Sequence, residues 1–415
     1  MLERVIGLPI ILMVIACSNF IEIRVGRINN KVIGHFAMEL DAANLLNREL
    51  NSEKKIVNLW YFADDSSVNK YLEKLVREKF NMLPRILLVY AYGFFTSRSK
   101  FNHHIIQSYD FNLGTVIPSS KKLDHLFWMR LSAQPALLRN SSKAIKESNE
   151  LLLKLGSTKS QFACLHIRDS KFKTSDLRRR GYSDSHIKGI KASNHHRNSN
   201  IENFILGCKV ISDYGIAPIR VGREMKELSL ESSNVILDYT YSSEVNDKND
   251  ILLAANCKFM ICTLSGFSEV SKLFRVPIFY LDLGEFFYFA SKVTSCVNTT
   301  PIILPKIIKY RSNGKMLNFQ EIHNLGIYEL SVAACEEYLS DNNCPIVVEE
   351  NSPIVIAKTI ELGINFLDKK SEKLNEVFEI GQVLFSQLYN LENSQNLPAI
   401  SPYWPNANVS KKSTF

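Results

Sequence analysis

The residues best suited to chemistry close an apolar run near the middle of the chain. In QFACLHIRDS, residues 161–170, the residues His166, Arg168 and Asp169 follow a run with no polar face. Such a run is typical of a parallel strand that is buried on both sides. Open α/β sheets bind their ligands at the carboxyl ends of parallel strands, where loops and helix N-termini meet. The segment therefore predicts a ligand site with an arginine, a side chain that binds phosphate groups through paired hydrogen bonds.

Other strand ends in the following hundred residues extend this predicted phosphate-binding edge. Arg220 ends the strand-like IAPIR, and CTLSG ends another strand and opens a helix, so that backbone N–H groups and two hydroxyls could face an anion. In a parallel sheet these carboxyl ends lie along one edge, which favours a common site. The residues expected to contact substrate are His166, Arg197, Asn198, Arg220, Asp250, Thr263, Ser265 and Gly266, with Gly34 near the amino end.

Each of these residues also has a structural explanation. An arginine at a strand end often forms a surface or interdomain salt bridge, and Ser265 and Asp250 are good helix N-caps. His166 could be a buried histidine whose hydrogen bonds are satisfied. Gly34 could serve a turn, and His35 a helix cap. The predicted convergence of the strand ends favours the phosphate-binding interpretation.

Several motifs are absent, and their absence argues against whole classes of enzyme. The sequence has no G-x-G-x-x-G, no G-x-x-x-x-G-K-[ST], no G-x-S-x-G and no H-E-x-x-H, so dinucleotide, P-loop, α/β-hydrolase and zinc-protease sites are poorly supported. No two aspartates stand two positions apart, so the D-x-D metal clamp of many sugar transferases is missing too. We therefore expect no metal and no cofactor, with phosphate held by arginine.

Length and composition predict a globular protein of two or more domains. The chain has 415 residues, of which 46% are hydrophobic and 22% charged, and its formal net charge is +8. This charge favours anionic partners, but the basic residues are scattered and no nucleic-acid-binding motif accompanies them, so we expect no nucleic acid. The eight cysteines show neither C-x-x-C pairs nor regular spacing, which favours buried free thiols in a reducing compartment.

The amino-terminal segment, residues 1–20, contains an apolar run from Val5 to Cys17. The run is too short for an ordinary membrane-spanning helix and includes Pro9. Three interpretations remain open: a helix that lies in the plane of a membrane, a signal that ends near Cys17, and a buried helix.

Strands and helices alternate along two stretches of the chain and predict two α/β domains. FIEIRVG, KIVNLWYF and PRILLVYAY are predicted as strands separated by helices, which gives a β-α-β-α-β domain at residues 21–150. From Gln161 the alternation resumes, which implies right-handed crossovers and a mostly parallel, doubly wound sheet at residues 151–365. Residues 366–415 are predicted as a helix, about Asp368 to Asn390, and a tail.

The order of these pieces resembles a family of bacterial glycosyltransferases of surface-polysaccharide synthesis, which is distantly similar to GDP-fucose-dependent fucosyltransferases. The matching pieces are VIGHF, LHIRDS, HHRNSNI, PIRVGREM, DILLAANCKFMICTLSGFSEV and RVPIFYL, which cover most of residues 21–285. The resemblance implies a GT-B architecture: two Rossmann-like domains that face a central cleft, with the nucleotide-sugar in the second and the acceptor entering from the first. It also implies that Arg168 holds the donor pyrophosphate, that residues 263–266 line the same site, and that transfer is metal-independent and inverting.

Such a transfer needs charge stabilisation on the departing phosphate and a base for the acceptor hydroxyl. Arg168 is the candidate for the first role, and Asp169 and His35 are candidates for the second. We expect a GDP-sugar donor, a glycan or lipid-linked acceptor, and a cytoplasmic enzyme in peripheral contact with the membrane. The alternatives are a non-catalytic nucleotide-sugar or glycan-binding protein, a sugar-nucleotide epimerase of the same fold, and an exported sugar-binding lipoprotein.

Overall fold

The chain forms two compact units. In the computed structural model, the first unit comprises Met1–Asp124, Ala136–Arg139 and Lys272–Phe274, and the second comprises the remaining residues. The structure describes residues 2–48, 54–110, 115–120, 125–179, 181–185, 187–188, 195–263, 265–284, 300–326, 337–339, 341, 343–368, 379, 382 and 399–406.

The strands, in chain order, are β1 Ile21–Ile28, β2 Lys55–Phe62, β3 Ser108–Asp110, β4 Thr115–Ile117, β5 Gln161–His166, β6 Ile216–Arg220, β7 Leu237–Asp238, β8 Met260–Cys262, β9 Ile278–Leu283, β10 Ile302–Pro305, β11 Ile307–Tyr310, β12 Ile346–Glu349 and β13 Ala399–Ile400. The α-helices are α1 Leu2–Cys17, α2 Ile33–Arg48, α3 Lys70–Lys79, α4 Arg85–Thr96, α5 His125–Ala133, α6 Ser142–Lys154, α7 Lys171–Arg179, α8 Ile205–Asp213, α9 Leu230–Ser233, α10 Asp247–Asn256, α11 Gly266–Leu273, α12 Phe319–Asn324 and α13 Pro353–Leu367.

The second unit is built on a parallel sheet of seven strands, which confirms the predicted α/β class. The strand order is β13-β10-β9-β8-β5-β6-β7, and every neighbouring pair is parallel. Counted from β5, six of these strands have the order 3-2-1-4-5-6 of a dinucleotide-binding sheet. The chain order reverses between β5 and β8, where His166 pairs with Cys262. This is the topological switch point, and β5 and β8 both end there.

The central strands of this sheet are apolar because helices cover them. All six residues of β9 are buried, and so are four successive residues of β5. Small residues allow close packing: a Cβ on Gly363 of α13 would come within 2.7 Å of the Phe279 ring, and one on Gly207 of α8 within 2.4 Å of the Ile360 side chain. The unbroken apolar runs in the sequence therefore correspond to strands buried on both sides.

The first unit begins with a βαβ motif in which β1 and β2 pair in parallel, from Ile21 opposite Lys55 to Ile28 opposite Phe62. The predicted third strand is wrong, because PRILLVYAY forms most of α4. The buried residues of α4 are Leu88, Ala91 and Phe95, whose spacing is helical. A short apolar run does not by itself distinguish a strand from a buried helix.

The amino-terminal apolar segment forms α1, which includes Pro9. Its residues Ile11 and Val14 are buried in one cluster with Val25 of β1 and Leu88 of α4. One face of α1 thus belongs to the core of the first unit. Within the described ranges, no helix has both the length and the apolarity needed to cross a bilayer.

The predicted carboxyl-terminal helix falls almost entirely on residues outside those that the structure describes. The helix before it, α13, begins with Ser352 as its N-cap, whose hydroxyl accepts from Val355 N–H, and Pro353 occupies the first helical position. After the gap, β13 adds the last strand of the seven-stranded sheet beside β10.

Candidate active site at the switch point of the parallel sheet

The loops that leave β5 and β8 are joined at the switch point. The backbone N–H of Arg168 donates to Thr263 Oγ1 at 2.8 Å, and Thr263 is buried. The carbonyl of Arg168 accepts from Ser199 N–H at 3.0 Å. The backbone of Arg168 is therefore fixed on both sides, and its partly buried side chain begins at a defined place on the carboxyl edge.

The serine-containing turn after β8 forms the predicted helix start. Ser265 is the N-cap of α11, and its Oγ accepts from Phe267 N–H at 3.2 Å, which confirms the expected capping role. Gly266 is the exposed first residue of the helix. The first N–H groups of α11 lie next to Thr263, so the positive end of its dipole is on the same edge as Arg168.

His166 lies between two elements of this edge. Its ring stacks on Phe267 with centroids 5.5 Å apart, and the backbone of Gly222, at φ +127°, approaches the ring from the loop after β6. His166 Nδ1 has no hydrogen-bond partner on another described residue. Burial lowers the pKa of His166 to about 4, and the neighbouring Arg168 acts in the same direction. His166 is thus a neutral, packed ring at pH 7.

Arg220 ends β6 as predicted, but its guanidinium is buried among protein partners. Its Nη1 lies 3.3 Å from Asp238 Oδ2, and its Nη2 donates to the carbonyl of Lys226 at 2.5 Å. Nη2 also lies 3.9 Å from Asp169 Oδ2. These contacts connect the loops after β5 and β6 with the last residue of β7. The salt bridges are buried and lie within the second unit, so they are neither the surface nor the interdomain salt bridge of the structural alternative, and a substrate contact of Arg220 stays a prediction.

Asp169 is held by backbone donors. Its Oδ1 accepts from Lys171 N–H at 2.7 Å, and its Oδ2 accepts from Lys226 N–H at 2.8 Å. Both carboxylate oxygens therefore have partners, and the catalytic role of Asp169 stays a prediction.

Asp250 is buried in a polar network and does not cap its helix. Arg223 donates to Asp250 Oδ2 from Nε at 3.0 Å and from Nη2 at 2.6 Å, and Tyr239 donates its hydroxyl proton to Oδ1 at 2.8 Å. Burial raises the pKa of Asp250 above its ordinary value, while Arg223 opposes this shift. The N-cap of α10 is Asn246, so the capping explanation for Asp250 is wrong.

Arg197 and Asn198 belong to a segment that is fixed to the carboxyl ends of β9 and β10. The carbonyl of Asn198 accepts from Lys306 Nζ at 2.7 Å, and Ser199 donates its hydroxyl proton to Asp282 Oδ2 at 2.6 Å. A Cβ on Gly284 would stand 1.9 Å from the carbonyl oxygen of His196, so only glycine fits beneath this segment. The segment also meets Arg168 through Ser199, which brings Arg197 and Asn198 to the same edge.

The sequence reasoning missed the buried ion pair that holds this segment. Lys306 Nζ lies 3.2 Å from Asp282 Oδ2, and both side chains are almost fully buried. Asn351 donates to Asp282 Oδ1 from its backbone N–H at 2.8 Å and from Nδ2 at 3.0 Å. A signal was present, since YLDLG and LPKII each place an ionisable residue within an apolar run, where such residues are seldom buried without a partner.

Gly34 and His35 lie in the first turn of α2, in the first unit. The helix begins at Ile33, so neither residue lies in a loop. His35 Nδ1 is 3.3 Å from Glu39 Oε1 and 3.4 Å from Asn29 Nδ2. A carboxylate that orients an imidazole is the arrangement that acid–base histidines use. The role of His35 as a base stays a prediction.

In the part of the chain that the structure describes, no group of three His, Cys, Asp or Glu residues could hold a metal ion.

No protein-family model matches the chain, and no curated protein matches it. Among solved structures, a glycosyl transferase of family 9 from Veillonella parvula DSM 2008 is 10% identical at a TM-score of 0.42, with 83% of this chain and 97% of that chain covered. The ADP-heptose lps heptosyltransferase II of E. coli is 12% identical at a TM-score of 0.33, with 62% and 84% covered. Neither similarity is strong enough to establish a family.

His166, partly buried with its Nδ1 shielded from solvent, predicts a pH dependence of stability. The pKa is about 4 in the folded protein and near 6.5 in the unfolded chain, so the unfolded state binds a proton first as the pH falls. We expect this residue to lower the free energy of unfolding between pH 6.5 and pH 4, by at most about 1.4 kcal/mol per pH unit, with no further loss below pH 4. Urea denaturation at several pH values should show a shallower slope for His166→Gln than for the wild type.

The matched control for this prediction is His103→Gln, which removes an exposed histidine of the first unit. Its slope should lie closer to that of the wild type than the slope of His166→Gln does. Equal slopes for the wild type and His166→Gln would contradict a buried neutral imidazole at position 166.

Proposed function

We propose that the protein is a glycosyltransferase that moves a sugar from a nucleotide-diphosphate donor, with a GDP-sugar favoured, to a glycan or lipid-linked acceptor of surface-polysaccharide synthesis. We further propose that transfer is metal-independent and inverting, and that the protein works in the cytoplasm in peripheral contact with the membrane. The donor site is the carboxyl edge at the switch point of the second unit.

The hydrogen bond from Arg168 N–H to Thr263 Oγ1 is the observation that most supports this proposal. It joins the two strand ends that flank the switch point, and open α/β sheets bind ligands in the crevice there. Around this bond lie the residue Arg168 itself, a helix N-terminus capped by Ser265, and the segment that carries Arg197. This set of groups suits a pyrophosphate better than a neutral ligand.

The departing nucleotide gains negative charge as the bond to the sugar breaks. A fixed cation and fixed N–H dipoles stabilise such charge without reorganising, because folding has already oriented them. In the proposed mechanism, Arg168 and the start of α11 supply this stabilisation. The neutral His166 adds no positive charge at pH 7, and its stacking on Phe267 positions the strand end that precedes Arg168.

The acceptor hydroxyl must lose its proton to a base. Four carboxylates near the carboxyl edge of the second unit, Asp169, Asp238, Asp250 and Asp282, already accept hydrogen bonds or pair with cations. This favours His35, whose ring Glu39 orients, over Asp169 as the proposed base.

Because these four carboxylates already have hydrogen-bond or ionic partners, they also favour a second candidate function, that of a non-catalytic nucleotide-sugar-binding protein. That protein would bind the donor at the same edge and form no product. The two candidates therefore differ in turnover, and a donor-binding assay alone does not separate them.

We expect selective thermal stabilisation by one nucleoside diphosphate in the absence of divalent metal. The purified protein would be titrated with GDP, UDP, CDP and dTDP while its melting temperature is followed, because a ligand that binds only the folded state raises that temperature. GDP should give the largest rise. No shift with any of the four would contradict the donor site. Donor binding with no release of nucleotide to any glycan or lipid-linked acceptor would favour the non-catalytic candidate.

A further inference from the structure

Helix α1 presents two apolar faces, of which the first unit covers one. Gly7, Ile11 and Val14 face inward, and Ile11 and Val14 are buried against β1 and α4. A Cβ on Gly7 would lie 2.7 Å from Tyr90 Cβ, so this glycine allows α1 and α4 to pack closely. The helix is therefore docked on the unit and is not a free anchor.

The outward face of α1 is apolar along its length. Its exposed large side chains, with their exposed fractions, are Val5 at 65%, Leu8 at 52%, Leu12 at 60% and Met13 at 47%. Val5, Leu8 and Leu12 are spaced by three and four residues and share one stripe, Met13 lies beside Leu12, and residues 5–17 include no charged side chain. An ordinary surface helix of a soluble protein has polar residues on this side. The exposed stripe therefore marks a contact surface.

A basic side chain lies at each end of the stripe. Arg4 is exposed at the start of the helix, one residue after Glu3. Lys54 is exposed near the other end, where its Nζ donates to the carbonyl of Ser18 at 2.8 Å. Phe20, 81% exposed, adds a large apolar ring just beyond the helix. An apolar helix face with basic residues at its ends is typical of helices that lie in the headgroup region of an anionic bilayer.

A second copy of the chain fits this face less well than lipid does. In a symmetric dimer through α1 with the two helices antiparallel, Lys54 of one copy would approach both Glu3 and Arg4 of the other, so the ends offer no net charge attraction. Anionic headgroups instead can pair with Arg4 and with Lys54.

We propose that the outward face of α1, the stripe of Val5, Leu8, Leu12 and Met13, lies in the headgroup region of an anionic membrane and holds the first unit against it. This deepens the membrane contact of the proposed function by naming its surface and its lipid chemistry. The helix lies parallel to the membrane plane, since its inner face stays packed on α4.

Flotation of the full-length protein with vesicles tests this surface. We expect binding to vesicles of phosphatidylcholine with one third phosphatidylglycerol, weaker binding at high salt, and little binding to phosphatidylcholine alone. Leu8→Glu combined with Leu12→Glu should lower binding at least tenfold. The matched control is Leu153→Glu with Leu230→Glu, which adds the same charge at two exposed leucines of the second unit and should bind as the wild type does.

Melting temperatures of all variants show whether they remain folded, and a milder Leu12→Asn variant would replace the double variant if that one were unfolded. Equal vesicle binding by the wild type and the α1 variant would overturn the proposal. So would a wild-type dimer that ignores vesicles and that the α1 variant converts to a monomer, since a second copy would then cover the stripe. Nucleotide-induced stabilisation, measured on the same samples, reports separately on the donor site.

Discussion

We expect Arg168→Ala to lower sugar transfer at least a hundredfold and to abolish the rise in melting temperature that the donor nucleotide causes. Removing one preorganised donor of charge stabilisation costs about 2.7–4 kcal/mol of transition-state binding in enzymes that use such groups. The free protein should stay folded, because the backbone contacts of residue 168 to Thr263 and Ser199 persist in the variant. Transfer rates and nucleotide titrations of the two proteins provide the measurement.

Two variants separate the charge of Arg168 from its shape and from general effects on the loop. Arg168→Lys keeps the charge but loses the planar fork, so we expect it to bind nucleotide more weakly than the wild type and more tightly than Arg168→Ala. Arg179→Ala removes an exposed arginine of α7 that pairs with Glu224, and it should leave transfer unchanged. Wild-type turnover by Arg168→Ala would rule out the proposed donor site.

Much of the fold of the second unit could be predicted from the sequence. Unbroken apolar runs such as IAPIR and VPIFYL correspond to strands that are buried on both sides, and such strands belong to parallel sheets. Polar residues at the ends of these runs necessarily come to one edge, because every neighbouring pair of strands in the sheet is parallel. For this reason the predicted neighbourhood of Arg168 and Thr263 could be read from spacing, and the hydrogen bond between them agrees with it.

The sequence was less informative about which side chains pair with each other when the partners are distant along the chain. Arg220 lies at the predicted strand end, but its pairing with Asp238 and Lys226 depends on how two loops meet. The partners Asp282 and Lys306 are 24 positions apart: Asp282 lies in β9 and Lys306 directly follows β10, and the adjacency of these two strands follows only from the completed sheet. Periodicity describes one element at a time, so it predicts which residues reach the edge and not which of them bind each other.

The ion pair of Asp282 and Lys306 leads to the prediction with the largest effect on stability. We expect Lys306→Met to lower the free energy of unfolding by about 3–5 kcal/mol, because it leaves the carboxylate of Asp282 buried without its cation. The variant also removes the hydrogen bond from Lys306 to the Asn198 carbonyl, so the segment that carries Arg197 should lose its fixed position and nucleotide binding should weaken. Urea denaturation and nucleotide titration measure the two effects.

A variant in which both partners are neutral separates the stability lost through the unpaired buried charge from the stability lost through changed packing. Lys306→Met with Asp282→Asn should recover most of the stability, because a neutral amide costs less to bury than an unpaired carboxylate. Lys309→Met provides the matched control three residues away, since Lys309 pairs with Glu349 at a more exposed site and should contribute at most about 1 kcal/mol. If Lys306→Met and Lys309→Met cost the same, Asp282 does not depend on Lys306, and its bonds from Ser199 and Asn351 suffice to hold the segment at the edge of the sheet.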